Sequence, residues 1–160
     1  MRKKTMEAIR AHAVAEYPRE CCGLVVMAAR REVYVPCRNT AASADHFVLA
    51  ADDYAAAEDT GRILAIVHSH PDETPAPSEA DRVACEATGL PWFIVAVARD
   101  DDGAVVAGEV RGFTPVGFQA PLLGRQFAHG VLDCYSLVRD WYKRERGIEL
   151  LDFQRDDGWW

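Results

Sequence analysis

Residues 63–68, Ile-Leu-Ala-Ile-Val-His, are an apolar run through Val67 that ends on His68, with no polar alternation before it. Such a run reads as a strand covered on both faces, at the centre of a sheet. Ser69-His70-Pro71 follows, and Pro75 and Pro77 mark a loop. A helix then begins at Ser78, with Ala80, Val83, Ala84 and Ala87 as its expected inner face, and Gly89 ends it. Residues 92–98 repeat the buried-strand pattern. Two buried strands with a helix between them require a layered α/β or α+β domain.

The remaining segments fit that frame. Met6, Ile9, Ala13 and Tyr17 share one face of a helix over residues 5–17, which Pro18 stops. Residues 23–29 and 32–36 read as a tight hairpin, and residues 46–50 as a short strand. Asp52 and Asp53 open a helix that Gly61 closes. Asp100-Asp101-Asp102-Gly103 is a hairpin turn with a return strand over 104–111. Pro115, Gly117, Pro121 and Gly124 break the periodicity. The last helix is expected over 131–146, with Val131, Cys134, Tyr135, Val138 and Trp141/Tyr142 as its apolar face. The expected division is a domain over residues 1–113, a linker over 114–130, and the start of an incomplete second domain over 131–160.

Composition narrows the function classes. The net charge is −7, which argues against nucleic acid as the main partner. No apolar stretch approaches the ~20 residues of a membrane-spanning helix. Met1-Arg2-Lys3-Lys4 is followed by no hydrophobic signal core, so synthesis in the cytoplasm is expected. The five cysteines are odd in number, Cys21 and Cys22 are adjacent, and no Cys-x-x-Cys pair occurs. That pattern suits neither a disulfide framework nor a four-cysteine zinc site.

The chemistry-bearing segment is His68-Ser69-His70, with Ser78 and Asp81 downstream. Residues i and i+2 of a strand project to one face, so both imidazoles can converge on one point. Two imidazoles and one carboxylate form a zinc site with an open position for water, and Asp81 can be the carboxylate. Ser78 and Asp81 also have the spacing of a capping box. Both readings can hold together, because a cap would fix the turn that presents Asp81.

The full pattern, His-x-His, seven residues, Ser, two residues, Asp, resembles the JAMM signature of MPN-domain metallopeptidases. Pro18-Arg19-Glu20-Cys21-Cys22-Gly23 is similar to that family's Pro-x-Glu-x-Cys-Gly form. The resemblance implies an MPN-type mixed sheet flanked by helices, cytidine-deaminase-like in its layering, over about residues 1–113. It implies zinc held by His68, His70 and Asp81, with Glu20 as general base and Ser78 as oxyanion donor. It implies hydrolysis of a peptide or isopeptide bond. Cytidine deaminases themselves need His-x-Glu and Pro-Cys-x-x-Cys, which this chain lacks.

Residues 129–137, His-Gly-Val-Leu-Asp-Cys-Tyr-Ser-Leu, look like the nucleophile segment of NlpC-type cell-wall cysteine peptidases. Cys134 would be that nucleophile, or a small buried residue on an apolar helix face. No histidine follows His129, so the expected Cys-His pair is incomplete. The terminal Asp156-Asp157-Gly158-Trp159-Trp160 suits the interior of a folded domain, and the chain is expected to be part of a longer one. An MPN domain followed by an NlpC-type domain is a layout of phage tail assembly proteins. That resemblance implies tail-tip proteins as partners, residence in the virion tail, and peptidoglycan as a further substrate. It also leaves room for an MPN domain that is only a scaffold, or only an accessory to the cysteine peptidase.

Overall fold

The computed structural model describes residues 1–44, 46–153 and 155; the expectation for the two terminal tryptophans lies outside them. The elements run α1 (Lys3–Glu16), β1 (Cys22–Ala28), β2 (Arg31–Cys37), α2 (Ala51–Thr60), β3 (Arg62–Pro71), α3 (Glu79–Thr88), β4 (Trp92–Arg99), β5 (Val105–Phe113) and α4 (Cys134–Arg146). Compactness divides the chain into two units, residues 1–76 with 90–114, and residues 77–89 with 115–160.

The first unit holds a five-stranded sheet in the order β2-β1-β3-β4-β5. β1 pairs antiparallel with β2 and β3, β3 pairs parallel with β4, and β4 pairs antiparallel with β5. The apolar run at 63–68 therefore lies on the central strand. Helices α1 and α2 pack on the sheet, which makes a layered α+β fold around a mixed sheet. Ile9 and Ala13 of α1 meet Val25, Ala65, Val67, Val95 and Val97 in the core. Burying each Ile or Val fully contributes roughly 1.5–3 kcal/mol.

The β1–β2 turn places Ala29 and Arg30 at φ 46° and 64°. A two-residue hairpin needs that left-handed pair to match strand twist, and here it is made without Asn or Gly. The strand expected at 46–50 is instead a loop with one bridge, Asn39 to Leu49. Two backbone bonds, Thr40 N–H to the Val48 carbonyl and Ala50 N–H to the Arg38 carbonyl, flank it, and the Asn39 side chain supplies the rest. Its Oδ1 accepts the Ala41 and Val48 amides at 2.9 and 3.1 Å, and its Nδ2 donates to the His46 carbonyl at 3.0 Å.

In the second unit, α3 differs from its expected face. Asp81 and Cys85 are its buried residues and Ala87 is exposed, because the N-terminal cap turns the Asp81 side inward. Glu86 accepts the Val116 and Phe118 amides at 2.7 and 2.8 Å, and Glu79 accepts that of Gln126 at 3.0 Å. Helix α4 starts three residues later than expected. Leu132 closes a turn onto Ala128, and Asp133 caps the helix by accepting the Ser136 amide at 2.8 Å. Its apolar face is not buried either. Val138, Trp141 and Tyr142 are exposed, while Ser136 is inside and Asp140 pairs with Arg125 at 2.9 Å.

Candidate metal centre

β3 continues past the apolar run to Pro71, so both histidines are strand residues. His68 and His70 project to one face, and their Nε2 atoms approach to 3.1 Å. His70 Nδ1 lies 3.0 Å from the Thr74 carbonyl oxygen. A bond to a carbonyl requires the proton on Nδ1, which leaves the Nε2 lone pair for a ligand. His68 is held by aromatic packing. Phe47 stacks on it with centroids 4.7 Å apart, and Trp92 meets it edge-on at 5.5 Å. Sequence reasoning missed both rings; the signal for Trp92 was its place at the start of the second buried strand.

Asp81 sits in the first turn of α3. Its Oδ2 accepts the Ser78 amide and the Ser78 hydroxyl, each at 2.7 Å, and the Asp81 amide donates to Ser78 Oγ at 3.0 Å. The capping box is therefore present, and it fixes the carboxylate. His68, His70 and Asp81 each offer one ligand atom, and these atoms lie within 4.8 Å of one another. Two nitrogens on a tetrahedral zinc with bonds of about 2.0–2.1 Å are ~3.3 Å apart, close to the imidazole separation here. The donor set, two imidazoles and a carboxylate, fits a catalytic zinc better than calcium or magnesium, which take oxygen ligands.

Glu20 is buried two residues before β1. Its carbonyl accepts from Asn39 Nδ2 at 3.0 Å, and its amide faces the Ala44 carbonyl at 3.4 Å. Glu20 and His70 line one cleft of about 220 Å³, together with Pro18, Ala44, Pro71, Asp72 and Glu73. Asp72 is tethered by the Tyr17 hydroxyl, which donates to its two oxygens at 3.1 and 2.9 Å. That hydrogen bond, with burial second, raises the Tyr17 pKa. Asn39 is a site residue that the sequence did not signal, beyond its position just after a strand.

Cys134 is the exposed first residue of α4 and is not a member of the His68-His70-Asp81 group. Beside it, Asp133 pairs with Arg155 at 2.5 Å. Burial raises the Asp133 pKa, but the Ser136 amide and the Arg155 guanidinium outweigh it and the net shift is downward. The other four cysteines are buried thiols. Burial pushes Cys21 and Cys37 up to about 11 and Cys22 up to about 12. Among the described residues no helix is long and apolar enough to cross a membrane.

The family model for prokaryotic homologs of the JAB domain matches residues 2–109. Tail tip assembly protein K of Escherichia phage N15 is 50% identical over 161 residues, covering 100% of this chain and 63% of that protein. Its namesake from Escherichia phage lambda is 43% identical over 109 residues, covering 68% of this chain and 48% of that protein. The chain thus spans less than two thirds of the length of these curated relatives. The solution structure of a Desulfitobacterium hafniense protein shares the fold, with a TM-score of 0.50 at 25% identity over 71% of this chain and 88% of that one.

Proposed function

The chain belongs to the family of prokaryotic homologs of the JAB domain, and from that membership we propose that it is a zinc-dependent metallopeptidase. The observation that carries the reading is the convergence of His68, His70 and Asp81 on one point. Zinc held by these three residues would supply Lewis acidity and a water whose pKa falls toward ~7. Glu20, on the cleft wall with His70, takes a proton from the attacking water and returns it to the leaving amine. The Ser78 hydroxyl proton points to Asp81 here; turned toward the substrate it donates to the developing oxyanion. The Asp81 amide keeps its bond to Ser78 Oγ through that rotation. The substrate is a peptide or isopeptide bond, in a tail-tip protein or in peptidoglycan.

The relatives are named for tail tip assembly, which supports a role among tail-tip proteins and in the virion tail. That name also favours a second reading, in which the domain is a non-catalytic assembly module. Cys134, exposed at the start of α4, has the placement that an NlpC-type nucleophile requires, and it would belong to a separate cell-wall activity. Glu20→Gln separates the first two readings. A peptidase requires that this variant keep its metal and cooperative unfolding but fail to support infectious tails. Normal assembly and infection with Glu20→Gln would establish the assembly module instead.

A further inference from the structure

We infer that Ser69, the residue between the two histidines, is a positioning residue that fixes Glu20 beside His70; the inference rests on the metallopeptidase reading. Strand alternation turns Ser69 to the sheet face opposite His68 and His70, where it is fully buried. Its Oγ accepts the Cys21 amide at 2.8 Å, and its own amide donates to the Cys21 carbonyl at 3.1 Å. Cys22 is in register with His68. Continuing that antiparallel pairing puts Cys21 opposite Ser69 and Glu20 opposite His70. One backbone bond and one side-chain bond therefore lock the residue next to Glu20 onto the strand that carries both histidines.

The far side of the lock is also built. Cys21 and the Tyr34 ring are both buried in the core cluster on this side of the sheet. The Tyr34 hydroxyl lies 2.9 Å from His12 Nδ1. The Tyr34 ring crosses Gly23 so closely that a Cβ there would fall 2.4 Å from its hydroxyl oxygen. Gly23 thus makes room for the Tyr34 ring, which shares the core cluster with Cys21, and Cys21 with Ser69 holds the approach of Glu20 to β3. Packing alone does not call for a hydroxyl at position 69, since the methyl of alanine would fill most of the same space.

Amide hydrogen exchange and carboxyl 13C spectra of the full chain, as wild type, Ser69→Ala and Ser69→Thr, test this role. In Ser69→Ala the Cys21 amide should exchange about 10-fold faster, the factor expected for one lost buried hydrogen bond. The Glu20 carboxyl resonance should broaden or split, while the Val25 and Val67 amides keep wild-type protection. Ser69→Thr, which retains the hydroxyl, should restore both signals. Unchanged Cys21 protection and an unchanged Glu20 resonance in Ser69→Ala would overturn the inference. So would a general loss of protection reaching Val25 and Val67, which would make Ser69 a residue of the fold alone, or a failure of Ser69→Thr to restore either signal. Zinc content is read on the same samples. A wild type without zinc removes the metallopeptidase reading, and the exchange data still judge Ser69.

Discussion

His68 Nε2 and His70 Nε2 stand 3.1 Å apart on one face of β3. Strand alternation brings them to the same side, and the Thr74 carbonyl sets the tautomer of His70. A separation this short lets one metal ion take both nitrogens as ligands. Asp81 is held by the capping box of α3, so each of these side chains is set by an ordinary local rule, a strand pleat or a helix start.

The Ser78 hydroxyl has two tasks, capping α3 and holding Asp81 Oδ2. Ser78→Ala should cost roughly 0.5–2 kcal/mol of stability through the lost cap. It should also weaken zinc binding by about 10–100-fold, as loss of a partner to a metal ligand does. Ser78→Thr should largely preserve both. Denaturant unfolding and competition with a chromophoric chelator measure the two effects separately.

His12 gives a pH dependence with a definite sign. Burial lowers its pKa below the ordinary histidine value, against a smaller upward pull from Glu16. The folded state therefore binds this proton more weakly than the unfolded state. The contribution of neutral His12 is fully present above the unfolded value of ~6.5 and is lost as pH falls through the lower folded value. Wild-type stability should fall on acidification below about pH 6.5, and His12→Gln should show a shallower slope there. Thermal unfolding across that pH range decides it, and equal slopes for the two proteins would contradict the assignment.

Cys134 is the exposed cysteine, and Cys21, Cys22, Cys37 and Cys85 are buried thiols whose pKa values burial raises. A colorimetric thiol reagent should modify one group quickly in native protein and all five only after denaturation. Cys134→Ser should remove the fast phase. Fast reaction of two or more thiols in the native chain would show that the four buried cysteines are not all enclosed as described.

The legible part of this protein was the part governed by local pattern. The apolar run at 63–68 announced the central strand, and the spacing of His68, His70, Ser78 and Asp81 singled out three side chains whose ligand atoms lie within 4.8 Å of one another. What stayed hidden depends on partners distant in sequence. The Asn39 side chain takes the His46 carbonyl and the Val48 amide of the strand expected at 46–50, and no local propensity encodes that substitution. The inner face of α3 follows its buried cap rather than its alanines, so Asp81 lies inside and Ala87 outside. On α4, Val138, Trp141 and Tyr142 of the expected apolar face are exposed, while Ser136 is buried and Arg139 and Asp140 make ion pairs. Phe47 reaches His68 from a loop, a contact that tertiary packing alone creates.

The central claim is that His68, His70 and Asp81 hold a metal. Its most direct test is the zinc content of the purified full chain, measured by atomic emission after exhaustive dialysis against zinc-free buffer. The wild type should retain about one zinc per chain, as a three-ligand catalytic site does, and His68→Ala with His70→Ala should retain none. A folded wild type that releases all its zinc, or a double variant that keeps the full stoichiometry, would contradict the account.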